Sequence, residues 1–426
     1  MADTRDQLIT GLDIGSSLIK VLVAERAENG TLRHVASSYA ESAGVESGVV
    51  VNIGEAARAI EQACYVVEDR LGQHLPCVCV NIGGPDVYGV NARGGCSIAP
   101  THREISQQDI SRAINTARHN LSLDRRFEVL YEIPRAYLVN GQIGMSDPRG
   151  MIGEELEVEI HYTVAPASSI QSLLKSLHLA HIMPAQVQPG ALTAGEALSH
   201  TFSEALREAS NETPSLAVLN VGADTTSLTL YVSGSVWMSH IAPVGGTTIT
   251  KTIAKELHLP LAAAEEMKVR YGHCDLQRVD EFEVIPLAHA AGINGWMPRR
   301  ELVSSIQHGV YAVADALVEL LEEARAAMVK PEVGLLTGGC ADLPGLETLL
   351  SQSLDIPLRR ALHGGIIGLP PVARHPAFAT AAGLVLWKYH ATGGATGASR
   401  QKSPLPHRLT SWMGGLRRVV SGVLPA

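Results

Sequence analysis

The sequence predicts an α/β fold of two similar lobes, and three observations carry that prediction. Strand-like and helix-like segments alternate along the chain. A strand, a glycine-containing turn and a second strand open each half, at Ile9–Ala24 and again at Leu216–Val232. At 426 residues the chain exceeds one compact core, and 46% hydrophobic against 18% charged residues describe a foldable protein.

Taken in order, ITGLDIGSSLIKVLVA (Ile9–Ala24) reads as two apolar strands around a turn punctuated by Gly15, Ser16 and Ser17. Ala56–Arg70 has helical spacing, and Val78–Ile82 is a short apolar strand running into Gly83-Gly84. Ser106–Asn120 starts on a capping-type Ser with Asp109 in its first turn, then places Ile110, Ala113, Ile114 and Ala117 on one face. Val129–Ile133 and the alternating Leu156–Val164 read as strands, and Ser168–Leu177 as a helix. In the second half Leu216–Val232 repeats the opening unit. Thr248–Leu257, Leu261–Tyr271 and Leu302–Met328 read as helices, the last with Leu302, Val303, Ile306, Val310, Val313, Leu317 and Leu320 as its apolar face. Val333–Leu336 is a strand entering Thr337-Gly338-Gly339, and from Ala391 the text ATGGATGASRQKSPLP reads as a flexible linker.

Composition narrows the function. Aromatics at 4% argue against a base-stacking platform, and a net charge of −9 argues against a general nucleic-acid binder. The charge is uneven: the last acidic residue is Asp355, and Ile356–Ala426 carries nine Lys and Arg with no Asp or Glu. MADTRDQLITG has no apolar leader, and no long uncharged apolar run follows it, so a cytoplasmic protein without a spanning helix is expected. The six cysteines lack CxxC spacing and read as core thiols. Asp86, Asp109 and Asp147 read as surface and turn carboxylates, not a metal cluster.

A tight turn between strands can aim its backbone N–H groups at an anion. In DIGSSLIK, small residues admit a phosphate, Lys20 adds a point charge, and Asp13 can hold a magnesium ion through water. With a second such hairpin at Asn220–Thr226, a nucleotide clamped between duplicated lobes is expected. GLLTGGCADLPGL (Gly334–Leu346) then offers Gly338 and Gly339 as bare backbone beneath an adenosine.

These pieces, in this order, resemble the actin superfamily of actin, sugar kinases, DnaK-type chaperones and MreB, and most specifically its bacterial cell-division family, FtsA. The resemblance rests on DIGSSLIKVLV, on ALTAGEAL after Gln188-Pro189-Gly190, on His240–Gly272 with its Glu265-x-x-Lys268, on TGGCADLPGL and on HPAFATAAGL. It covers about Leu8–Tyr389. It implies an actin-like two-lobe fold, duplicated and ribonuclease-H-like, divided as 1–83 (first part of lobe I, 1A), 84–166 (an inserted 1C subdomain) and 167–195 (return to lobe I and connecting helix). Then follow 196–247 (lobe II core, 2A), 248–301 (2B), 302–355 (lobe II core with the adenosine motif), 356–390 (closing helix), 391–407 (linker) and 408–426 (membrane helix).

The resemblance further implies ATP and Mg²⁺ as cofactors, with weak or no hydrolysis. ATP would be bound by Asp13, Gly15, Ser16, Ser17, Lys20, Gly222, Ala223, Thr225, Gly245, Gly246, Glu265, Lys268, Gly338, Gly339 and Asp342. The catalytic residues stay unassigned, with Gln188 and Asp224 as candidates. Implied partners are the FtsZ C-terminal peptide through 2B, later divisome proteins through 1C, other copies of the chain in a filament, and anionic lipids at the cytoplasmic face of the inner membrane, at the septum. The chain departs from the family pattern at Asn220, where relatives carry Asp, at Gly222-Ala223-Asp224 in place of three glycines, at Cys340 and at Ile306-Gln307-His308-Gly309. A PilM-like protein of type IV pilus assembly is the alternative within the superfamily. A sugar kinase or chaperone-type ATPase would lack the 1C insertion.

The tail stands apart from the resemblance. On a helical wheel Leu409, Trp412, Met413, Leu416, Val419, Val420, Val423 and Leu424 fall within an arc of about 140°. Arg408 and Arg417 flank that arc, placed to reach lipid headgroups while the apolar face enters the acyl boundary. At 1.5 Å per residue the segment is about 24 Å long, enough to lie on a bilayer and too short to cross it.

Overall fold

The structure, a computed structural model, describes residues 7–100, 102–145, 147–198, 201, 215–287 and 295–392. The linker beyond 392 and the whole membrane-helix assignment at 408–426 lie outside the described residues. The described residues form two compact units: those up to Val87 with those from Ser168 to 392, and Tyr88–Ala167.

The larger unit opens with β1 (Leu8–Ile14), β2 (Leu18–Arg26), β3 (Leu32–Glu41), the short β4 (Val45–Glu46) and β5 (Val49–Val50), α1 (Ile53–Leu71) and β6 (Val78–Ile82). β1 and β6 are buried almost throughout, as near-continuous apolar runs become when both sheet faces are covered. β3 alternates buried and exposed residues, the pattern of a strand with one solvated face. Asn52 caps α1, accepting from the N–H groups of Gly54 and Glu55, and Gly72 ends it in the left-handed region.

The smaller unit holds β7 (Tyr88–Ser97), β8 (Arg103–Glu104), α2 (Gln107–Asn120), β9 (Phe127–Val139), β10 (Gln142–Met145), β11 (Ile152–Gly153) and β12 (Glu155–Pro166). Its main sheet runs β10-β9-β12-β7, antiparallel throughout. Leu156, Val158, Ile160, Tyr162 and Val164, every second residue of β12, are buried in one cluster with Ile110, Ala113 and Ala117 of α2. Asp109, expected at the surface, is instead buried: it closes a capping box with Ser106 and takes two hydrogen bonds from Arg103, at 2.7 and 2.8 Å. Asp147 does sit in an exposed turn, paired with Arg149.

After α3 (Ala167–Leu179), β13 (Pro184–Pro189) and α4 (Gly190–Ala197), the second sheet is built from β14 (Ser215–Val221), β15 (Thr226–Val232) and β16 (Ser235–Ala242). α5 (Gly246–Glu256), α6 (Leu261–Tyr271), β17 (Val284–Pro286), β18 (Trp296–Pro298) and α7 (Arg299–Ala326) follow. The chain then passes through β19 (Val333–Thr337), α8 (Leu346–Leu354), β20 (Leu358–Arg360), β21 (Ile366–Ile367), α9 (Pro371–Arg374) and α10 (Ala379–Ala391). The expected apolar face of α7 is buried, except that Leu321 sits inside the core and Leu320 at its edge.

Sheet one is ordered β13-β6-β1-β2-β3-β21 and sheet two β20-β19-β14-β15-β16. In both, three antiparallel strands are followed by two parallel ones in the same positions, so the duplicated opening belongs to a duplicated lobe. α4 and α10 pack together at the centre of the unit. The approach is close: a Cβ on Gly383 would lie 1.8 Å from the carbonyl oxygen of Thr193.

Candidate functional site

The two predicted hairpins have the same geometry. The N–H of Gly15 donates to Leu18 O at 3.3 Å around Ser16-Ser17, and that of Gly222 donates to Thr225 O at 2.9 Å around Ala223-Asp224. Asp13 pairs across its ladder with Lys20, and Asn220 holds the corresponding place opposite Ser227. Both turns follow a strand that is central to its sheet, so rigid ladders hold them.

Asp13 is buried and accepts one hydrogen bond at each carboxylate oxygen. Lys20 Nζ donates to its Oδ2 and Asn81 Nδ2 to its Oδ1, both at 2.8 Å, while Asn81 Oδ1 accepts from the Ile14 N–H at 2.7 Å. The point charge expected of Lys20 is therefore neutralised by Asp13. Asn81 escaped the sequence reading, and its signal was faint: one amide in the apolar run Val78–Ile82 ahead of two glycines. Gln188 lies beside it in register on β13, and its buried Oε1 has no hydrogen-bond partner among the described residues.

Around the second hairpin, Gly246 N–H donates to Gly222 O and Thr247 N–H to Ala223 O, at 2.9 and 2.8 Å, seating the start of α5 on the turn. Lys268 is a strut beneath it, donating to Gly246 O, Thr250 Oγ1 and Glu265 Oε2 at 3.0, 2.8 and 2.7 Å. Glu265 and Lys268 thus complete one another within lobe II. Cys340 donates its thiol to Gly222 O at 3.4 Å, and burial pushes that thiol up, away from nucleophilic thiolate.

The third piece meets the closing segment. Gly338 has φ +99° and rests on Val221 and Asn220, and Gly339 lies beside Ala377. Asp342 pairs with Arg360 and with His375 Nε2, and Asn220 Nδ2 reaches Thr380 Oγ1 at 3.3 Å. Asp224 points to the other lobe, accepting from the Ser47 N–H at 3.1 Å. Ser47, Gly48 and Thr380 were also missed, since nothing local marks a residue whose partner lies 177, 32 or 160 positions away.

The donor set suits a polyanion with a hydrated cation. Among the described residues no three His, Cys, Asp or Glu side chains converge as a metal cage. One carboxylate, with an orphaned amide oxygen on the far side of Asn81, fits magnesium held at phosphates largely through water.

Comparison with known proteins bears on this arrangement. The family profile described as "Cell division protein FtsA" matches residues 217–383, and "SHS2 domain inserted in FTSA" matches residues 84–164. The cell division protein FtsA of Borreliella burgdorferi is 30% identical over 393 residues, covering 90% of this chain and 91% of the relative. That of Neisseria meningitidis serogroup B is 28% identical over 392 residues, 90% of each. Among solved structures, the PilM-PilN type IV pilus biogenesis complex aligns with a TM-score of 0.62 at 19% identity, covering 89% of this chain and 98% of that one, a likeness of fold. With an actin-like two-lobe fold, an SHS2 insertion and homology along nine-tenths of its length, the chain belongs to the FtsA family of cell division proteins.

Proposed function

We propose that this chain binds ATP with hydrated magnesium between its lobes, and that binding, more than turnover, sets its assembly into a membrane-bound filament that tethers FtsZ. The observation that carries the nucleotide reading is the pair of matched two-residue turns, both of which reach the single Ser47-Gly48 turn. Bound ATP would supply the negative charge on which both turns close. Gly15, Ser16, Ser17, Gly222, Ala223 and Thr225 would bind phosphates mainly through backbone N–H groups. Asp13 and Gln188 would orient the waters of magnesium, and Gly338 and Gly339 would lie under the adenosine with Asp342 at the rim. Gly245, Gly246, Glu265 and Lys268 would support that side, with Lys268 acting through its hydrogen bonds to Gly246 and Glu265. Asn220, an amide where most of the superfamily is expected to carry Asp, cannot act as a base, so hydrolysis is slow.

Family membership supports the cell-division role, with residues 84–166 as subdomain 1C and 248–301 as 2B. On 2B, Phe282, Val284 and Trp296 stand exposed at the β17–β18 hairpin, apolar surface suited to a docked peptide. Calorimetry with ATP and ADP in magnesium buffer tests the nucleotide reading: both should bind, and no binding by folded protein rejects it. Pull-down with an FtsZ C-terminal peptide tests the tether, and Trp296→Ala should weaken capture at least several-fold.

A further inference from the structure

The Ser47-Gly48 turn serves both hairpins with two consecutive N–H groups. It joins β4 to β5 with φ +47° and +77°, the left-handed pair of a tight two-residue hairpin. Gly48 N–H donates to Ser16 Oγ at 2.9 Å, and Ser47 N–H donates to Asp224 Oδ2 at 3.1 Å. The same segment is fixed to the first hairpin through Ser42 N–H, which donates to Ser17 O at 2.9 Å. Residues 16, 47 and 224 therefore meet at one point of the cleft, and Asp224 brings a full negative charge to it.

We infer that Asp224 is a specificity residue of this site: its carboxylate, held on the Ser47 N–H beside Ser16, opposes the terminal phosphate of a nucleoside triphosphate and biases binding toward the diphosphate. The inference rests on the nucleotide reading above. The two lysines assigned to the site do not offset the charge, because Lys20 is paired with Asp13 and Lys268 with Glu265, and magnesium would enter with either nucleotide. The bond to Ser47 also ties lobe II to lobe I, so the group that disfavours the third phosphate is a latch between the lobes. A terminal phosphate entering between the hairpins must share the Ser16 and Ser47 neighbourhood with that carboxylate or displace it.

The test uses the full chain as wild type, Asp224→Asn and Asp224→Ala. ATP and ADP are titrated calorimetrically in magnesium buffer, and exchange of the Ser47 amide is followed by hydrogen–deuterium exchange. Asn keeps an oxygen acceptor for Ser47 and loses the charge. It should raise the ratio of ATP to ADP affinity about tenfold, with the Ser47 amide still protected. Ala should raise the ratio similarly and release the Ser47 amide to exchange at least several-fold faster. An unchanged ratio in both variants overturns the inference while nucleotide binding stands. Unchanged Ser47 exchange in Asp224→Ala overturns the latch. Failure of wild type to bind either nucleotide overturns both this inference and the reading beneath it.

Discussion

Alanine at Gly338 would place its Cβ 2.4 Å from Val221 O and 2.5 Å from Asn220 Oδ1, with φ fixed at +99°. Both penalties act together, so Gly338→Ala should cost about 2 kcal/mol or more in denaturant unfolding and open the junction between the second hairpin and the third loop. Gly339→Ala is the control: its nearest neighbour is 3.9 Å away, and stability should change by less than about 0.5 kcal/mol. Asn220 carries a second prediction. Its amide donates to Thr380 Oγ1, a hydroxyl that can equally donate to a carboxylate, so Asn220→Asp should fold normally and raise ATP hydrolysis measured by phosphate release. A wild-type rate above about 10 s⁻¹ would contradict the proposal of slow turnover. Much of the candidate site was legible at this scale, because Gly15, Gly222 and Gly338 punctuate turns that depend on local sequence. Asn81 and Ser47 were not legible, because their partners Asp13 and Asp224 lie 68 and 177 positions away.

Helix α2 shows what a single carboxylate does for an element. Asp109 is 1% exposed, and Arg103, followed by Ser106 and Arg112, holds its carboxyl far below the usual carboxylate range. A depressed folded-state value means the stabilisation is complete above the unfolded value, near 3.9, and is lost as pH falls through the folded one. The protection of the α2 amides, taken relative to their intrinsic exchange rate, should therefore fall below about pH 4, whereas in Asp109→Asn it is already lower at pH 7 and depends less on acid. Asp109→Ala should cost about 3 kcal/mol, since it breaks the capping box with Ser106 and removes the carboxylate that Arg103 and Arg112 share. Elements with one dominant period were readable in advance: α6 was expected over Leu261–Tyr271 and occupies those residues. β9 was expected to stop at Ile133, before Pro134, yet it continues to Val139. A register shift between Glu159 and Ile160 of β12 lets the strand pass a residue without an N–H. β3 and β16 escaped because Ser, His and Arg interrupt their apolar positions, and their burial comes from neighbours the local text does not contain.

At the scale of the whole molecule the decisive asymmetry is charge: the acids end at Asp355, and five basic residues from Arg400 onward accompany an apolar helical stripe. Each basic residue near an anionic leaflet contributes about 1 kcal/mol, so the proposed membrane foot would draw at most roughly 5 kcal/mol from electrostatic attraction. One foot is weak, and a filament presenting many would hold by avidity. Gly414, Gly415 and Gly422 would each cost a free helix about 1 kcal/mol, so the proposed foot would gain its helix on binding lipid. Removing Leu405–Ala426 should therefore release the protein from anionic liposomes in sedimentation while leaving ATP binding intact. Trp412→Glu or Leu416→Glu should release it nearly as well, because each drives a carboxylate into the acyl boundary. Arg417→Ala combined with Arg418→Ala should weaken binding by about 2 kcal/mol at low salt and by less as salt rises, since screening acts on charge and spares the apolar face. If the truncated chain pellets as well as the full one, lipid is held elsewhere and the stripe serves another contact.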